Sequence, residues 1–125
     1  YLAKYGTPMT PEDLSNHQCL VYENAAGAAT SWALSRGSSK RSITISGKLR
    51  CNDSSILQSA ALAGEGILLG YAQALQPDME KQNLVRVLPE WTIANRPMHL
   101  LYNAGPIMTP KLRMFVTEVQ RAFPP

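Results

Sequence analysis

A chain of 125 residues that is 45% hydrophobic and 17% charged has the make-up of a folded unit with its own core, and this excludes a disordered tail. Its net charge of +3 comes from scattered residues, with only Lys40 and Arg41 side by side, so the clustered basic face that tracks phosphates is missing. Cys19 and Cys51 are too few for a disulfide framework and lack CxxC spacing. No apolar run reaches the ~18 residues of a membrane span, and the first residues carry no signal-peptide pattern.

Residues 1–5 read as a short helical remnant closed by Gly6. Thr10, Pro11, Glu12 and Asp13 then supply an N-cap hydroxyl, a first-turn proline and first-turn acids, opening a helix that ends near Ser15. Residues 19–22 form a compact apolar run of strand type, residues 24–29 a small-residue loop, and residues 31–35, around Trp32 and Leu34, a second strand. Residues 36–41 have turn composition. Residues 42–49 alternate, with Ile43, Ile45, Gly47 and Leu49 on one face, which predicts a single half-buried strand. Asn52, Asp53, Ser54 and Ser55 make an N-cap cluster for a helix through Ala63, whose apolar positions approximate helical spacing and which Gly64 and Gly66 end.

Strand character returns over residues 67–71. Residues 73–81 predict one or two short helical turns interrupted by Pro77. Residues 84–88 and 98–102 read as strands. Thr109 and Pro110 open a last helix with an apolar stripe of Leu112, Phe115, Val116, Val119 and Phe123. Strands alternating with helices predict an α/β layered fold with a mixed sheet, in parts of two lobes. The chain starts without Met inside a helical stretch, as a piece of a longer protein would.

The order of motifs is specific. Tyr1-Leu2-Ala3-Lys4-Tyr5-Gly6-Thr7-Pro8, then Thr10-Pro11-Glu12-Asp13-Leu14 and His17-Gln18-Cys19-Leu20, resembles the run that begins the second lobe of the effector domain in LysR-type transcription regulators. The segment Gly47-Lys48-Leu49-Arg50-Cys51-Asn52-Asp53, followed by Ala60-Ala61-Leu62-Ala63-Gly64-Glu65-Gly66-Ile67, is similar to that family's strand–loop–helix–GxG–strand passage. Leu84 to Trp91 resembles the strand leading back to the first lobe, and Met108 to Phe115 its final helix. One position departs: the family often places Pro soon after the strand at Gly66-Ile67, where Gly70-Tyr71 stands here. The resemblance implies a type II periplasmic-binding-protein-like α/β fold, with residues 1–93 as the second lobe of the effector-binding domain and residues 94–125 as the crossover strand and C-terminal helix returning to the first lobe. It further implies a small-molecule effector, a carboxylate among the candidates, and a homo-oligomer in the cytoplasm. DNA would be met only through an N-terminal winged helix-turn-helix outside this chain.

Asn52, Asp53, Ser54, Ser55 and Ile56 are the candidate effector contacts. Free N–H groups and partial positive charge at a helix N-terminus suit small anions, and in the resembled family this loop carries the second lobe's ligand contacts. The plainer reading is an ordinary N-cap, and Asp53 brings a fixed anion that opposes a carboxylate unless it points away. Gly64-Glu65-Gly66 follows a helix and precedes a strand, the reverse of a dinucleotide fingerprint, and reads as a tight turn. His17, Cys19, Cys51 and His99 have no metal-ligand spacing, so neither metal nor cofactor is implied. No GxSxG elbow or locally paired histidine points to an enzyme. Trp32, Trp91 and Tyr22 read as core or lobe-edge packing. The reading is therefore an effector-sensing module of a regulator and not an enzyme, the alternative being a solute-binding protein of the same fold. Without half of the first lobe, the last helix's stripe is expected to drive association or to shift residues 97–125.

Overall fold

The computed structural model describes residues 1–93, 100–102 and 108–123. The chain divides into two compact units, Tyr1–Ala94 and Asn95–Pro125, and each is taken by itself.

In the first unit the apolar run Cys19-Leu20-Val21 becomes the centre of a four-stranded sheet. β1 (Cys19–Asn24) pairs antiparallel with β2 (Gly27–Ala28), and in parallel with β5 (Arg50–Cys51) and β6 (Ile67–Leu68). Along a strand, backbone groups alternate between the two edges. Cys19 and Val21 donate to the carbonyls of Ser46 and Leu49, while the carbonyls of Gln18 and Tyr22 accept from Ile67 and Ala29. β5 therefore lies on one edge of β1, and β6 and β2 lie in succession on the other. A strand covered on both faces reads as a continuous apolar run, and Cys19, Leu20 and Val21, which alternate between the faces, are all buried.

β3 (Ser31–Arg36) centres a second, antiparallel sheet between β4 (Ser39–Thr44) and β7 (Thr92–Ile93), in the order β4-β3-β7. Trp32 and Leu34 point inward, and Ile43 stands opposite Trp32. The core joins the inner residues of both sheets: Leu14, Cys19, Val21, Trp32, Leu34, Ile43, Ile45 and Ile67. Trp91 packs on this cluster with the Arg36 guanidinium 5.1 Å above its ring. That guanidinium also pairs with Glu90 at 2.8 Å, so one arginine holds the approach to β7 against β3.

The helices are α1 (Leu2–Tyr5), a 3-10 turn at Pro11–Asn16, α2 (Ser54–Leu62) and α3 (Ala72–Glu80) in the first unit, and α4 (Pro110–Ala122) in the second. α1 stops at Gly6, whose φ of 83° only glycine adopts without strain. α2 ends in a Schellman motif: Glu65 donates to Ala60 and Gly64, at φ 78°, donates to Ala61. This is the tight helix-to-strand turn expected of Gly64-Glu65-Gly66.

Several boundaries differ from the sequence reading. The 36–41 turn shrinks to Gly37-Ser38, because Ser39, Lys40 and Arg41 pair with Arg36, Ser35 and Leu34. The strand expected over 42–49 is split. It leaves β3 after Thr44, and Ser46 then bridges Gln18 in the other sheet. The alternation survives the change of partner because the same face stays inward: Ile43 and Ile45 are buried, and Gly47 and Leu49 half-buried. Residues 24–29 are not wholly loop, since Gly27 and Ala28 fold back on β1. β6 is shorter than the 67–71 expected. Pro77 lies inside α3 without breaking it, costing one backbone hydrogen bond. Residues 84–88 form no strand: Leu88 has φ 49° and accepts from Trp91 N–H in a turn, and the pairing with β3 falls to Thr92 and Ile93 instead. Of the strand expected over 98–102, residues 98 and 99 lie outside the described residues, and residues 100–102 have no regular structure.

Candidate functional site

The three parallel strands β5, β1 and β6 put their carboxyl ends on one side of the sheet, where ligands of open α/β sheets are usually received. Asn52 to Ile56 leave the end of β5 and become the first turn of α2. Tyr22 is in register with Cys51, so it stands at the same end of the neighbouring strand, and it is exposed. Tyr71, also exposed, follows β6 as the N-cap of α3. In the sequence Tyr71 stands out only as part of the Gly70-Tyr71 departure from the family pattern, and Tyr22 reads as packing. The register of β1 with β5 and β6 is what brings both to this end, and no local pattern encodes it.

Within the turn, Asp53 is the N-cap of α2. Its Oδ1 accepts from Ser55 N–H at 2.8 Å, and its backbone carbonyl accepts from Leu57 N–H at 3.3 Å. The N–H of Asp53 in turn donates to Cys51 Sγ at 3.3 Å. The capping reading thus holds for Asp53, and its carboxylate faces the helix terminus instead of pointing away from it. Ser59 Oγ donates to the Ser55 carbonyl at 2.9 Å. Asn52, Ser54, Ser55 and Ile56 are exposed, with Ile56 at 50%. α2 is fixed beneath them by Leu57, which is only 1% exposed. The five candidates therefore form one continuous surface, whose open polar side-chain groups are one amide and two hydroxyls, with a fixed negative charge among them.

The other candidates separate. His17 is buried, with Nδ1 3.1 Å from the Tyr1 hydroxyl, whose oxygen also accepts from Gln18 N–H at 2.9 Å. This links α1 to the start of β1. Cys19 is fully buried, burial pushes its thiol up to about 11, and it is a free cysteine, as is half-buried Cys51. His99 lies outside the described residues. Among the described residues no group of three or more His, Cys, Asp or Glu could hold a metal ion, and no helix is long and apolar enough to cross a membrane. Trp32 is core, as expected, and Trp91 packs against it. In the second unit, Thr109 Oγ1 caps α4 by accepting from Leu112 N–H at 3.3 Å. A shallow depression of about 450 Å³ runs along one side of that helix, lined by Met108, Pro110, Arg113, Met114, Thr117 and Glu118. The 52–56 surface has no part in it.

A helix thus opens at the carboxyl end of parallel strands, with short polar side chains in its first turn, and comparison with known proteins gives the chain a family. The chain belongs to the LysR substrate-binding-domain family, which it matches over residues 1–124. The transcriptional activator TtdR of Escherichia coli K12 is 35% identical over 106 residues, which are 79% of this chain and 34% of that protein. An HTH-type transcriptional regulator of Xanthomonas campestris is 31% identical over 93% of this chain and 35% of its own length. The chain thus spans about a third of the curated relatives it matches. Among solved structures, the regulatory domain of AphB from Vibrio vulnificus superposes with a TM-score of 0.77 at 25% identity, covering 97% of this chain and 59% of that one. The regulatory domain of CrgA from Neisseria meningitidis gives 0.62 at 30% identity, over 77% of this chain and 46% of that one. The fold is accordingly the type II periplasmic-binding-protein-like α/β fold of these regulatory domains.

Proposed function

We propose that this chain is the effector-sensing part of a LysR-type transcription regulator, with the turn at Asn52, Asp53, Ser54, Ser55 and Ile56 as its share of the effector site. The observation that carries the reading is the place of this turn: at the carboxyl end of three parallel strands, in a chain of the substrate-binding family. Residues 1–93 are the second lobe and residues 94–125 the return to the first. The effector acts through differential affinity for two lobe arrangements, since equal affinity for both would shift nothing. DNA binding belongs to a winged helix-turn-helix elsewhere in the full protein, which works as a homo-oligomer in the cytoplasm. Catalysis has no role in this reading.

The geometry of Asp53 sharpens the effector's chemistry. Its carboxylate already occupies Ser55 N–H, so a second carboxylate there meets both a used donor and a like charge, a penalty of about 1 kcal/mol in water and about 4 kcal/mol near a protein surface at 4 Å separation. The group that meets this turn is therefore a neutral hydroxyl or amide, or an amine, held by Asn52, Ser54 and Ser55. A carboxylate elsewhere on the effector faces the other lobe. The test is calorimetric titration of the full-length protein with a panel of sugars, amides, amines and carboxylates, repeated on Ser54→Ala and Ser55→Ala. A ligand that binds the parent protein is expected to lose about tenfold in affinity with either variant, the worth of a hydrogen bond to a neutral group left unmade. Ligands that bind the parent and both variants equally would remove the turn from the site.

A further inference from the structure

α3 is tied to the rest of the first unit by very little. It buries no residue, and its inner face consists of Leu75, Asp78 and Met79, all half-buried. Pro77 leaves the carbonyl one turn before it without its helical partner. Leu75 lies over Gly70: a Cβ built there would stand 2.9 Å from Leu75 Cδ1. Among the described residues, one hydrogen bond joins α3 to another element, from Gln58 Nε2 of α2 to the Asp78 carboxylate at 2.6 Å, and it is part-buried. Gly70 precedes the helix, and its far end is a Schellman cap in which Gln82, at φ 59°, donates to Met79 and Asn83 donates to Asp78. By contrast, β1 is paired on both edges and α2 is anchored by Leu57.

We propose that α3 is a flap, opening as a unit with its C-terminal cap and pivoting at Gly70 while the sheets stay intact, and that the Gln58–Asp78 hydrogen bond is its catch. An element with few buried apolar contacts opens locally at a free energy far below that of global unfolding. A hydrogen bond to a charged acceptor in a partly buried place is the strongest restraint available to so thinly packed a helix. The catch lies within one helical turn of Ser54 and Ser55 on the same helix. If the 52–56 turn is the effector contact, as proposed above, a ligand that shifts the first turn of α2 also shifts Gln58 and biases the flap. Only this regulatory consequence rests on that reading; the flap itself does not.

Hydrogen exchange of the full-length protein without effector tests the flap. The amides of Gln76, Asp78, Met79 and Glu80 are expected to exchange at least about tenfold faster than those of Leu20 and Val21 in β1 and of Ala60 and Ala61 in α2. Gln58→Met and Asp78→Ala should each speed α3 by a further tenfold or so and leave β1 unchanged. Exchange of α3 at the rate of β1 would overturn the proposal. So would variants that leave α3 unmoved, or that accelerate β1 and α2 equally, because the bond would then be no catch. Loss of the effector site in the titrations above would leave these exchange rates as they are, so the two ideas fail separately.

Discussion

β1 and α4 are both announced by strong apolar patterns, and they end in opposite surroundings. Cys19, Leu20 and Val21 are almost completely buried, enclosed by strands on both edges and by α2. The stripe of α4 is well formed, yet it buries no residue: Leu112, Val116 and Val119 are half-buried, while Phe115 and Phe123 are 57% and 51% exposed. Pattern decides which face of an element is apolar. Burial also needs a partner, and a pattern does not say whether the partner lies in the same stretch of chain. In the proposed reading α4's partner is the first lobe, most of which this chain does not supply.

The sharpest way to break this contrast is to attack the close approach that makes β1 central. A Cβ at Gly47 would overlap the carbonyl oxygen of Cys19, and one at Gly66 would overlap that of Gln18. Both clashes are with backbone, which cannot swing aside. Gly47→Ala is expected to cost more than about 3 kcal/mol, or to abolish the cooperative urea transition altogether. Gly37→Ala is the control. Nothing stands within 4 Å of its Cβ position, and only its φ of 57° opposes the change, so about 1–2 kcal/mol is expected. Equal losses in the two variants would show that close packing at β1 is not what singles out Gly47.

Of intermediate size is the matched pair Leu57→Ala and Val116→Ala. Leu57 is enclosed beneath the candidate effector turn, and removing it should cost about 2–5 kcal/mol. Val116 lies on the half-buried face of α4, and its loss should cost less than about 1 kcal/mol. Denaturant midpoints of this chain check both. If Val116→Ala proved as damaging as Leu57→Ala, α4 would have a packed partner in solution, such as a second copy of the chain, and light scattering would then show the association expected of an exposed stripe.

How much of this was legible beforehand follows from the same contrast. Elements whose signal is local came through: the Thr109 cap and Pro110 of α4, the Gly64 end of α2, and the inward alternation through Ile43 and Ile45. The ordered motifs carried the fold class as a resemblance, and the family match agrees with it. What failed depends on partners distant in sequence. Residues 42–49 keep one alternating pattern while changing sheets after Thr44, and the pattern contains nothing to mark the change. Residues 84–88 have the composition of a strand, but Leu88 turns at φ 49° and Thr92 and Ile93 take the edge of β3. At the candidate site the cluster Asn52, Asp53, Ser54 and Ser55 was visible from its residue types. The direction of the Asp53 carboxylate, which in the proposed reading decides what charge the turn accepts, is a side-chain conformation that the residue types leave open.

The smallest expected effect separates a capping acid from the buried groups around it. Asp13 accepts from Thr10 N–H at 2.8 Å and Met9 N–H at 2.9 Å, and these hydrogen bonds hold its carboxyl below the usual value of 3.8, with the nearby His17 adding slightly. The folded-state value is depressed, so the unfolded chain takes up this proton first as pH falls, and the stabilisation is fully present above the unfolded value and lost as pH drops through the lowered one. The stability difference between the parent chain and Asp13→Asn should therefore be constant near neutral pH. It should shrink as pH falls from the unfolded value through the lowered one and vanish below it, as followed by urea midpoints across the acid limb. Because the group is open to solvent, the difference should also be modest, and only slightly reduced by salt, since the main partners are neutral N–H groups. A difference that instead grew as pH fell would mean that Asp13 destabilises the folded chain when charged, and that its two backbone donors do not hold it in solution.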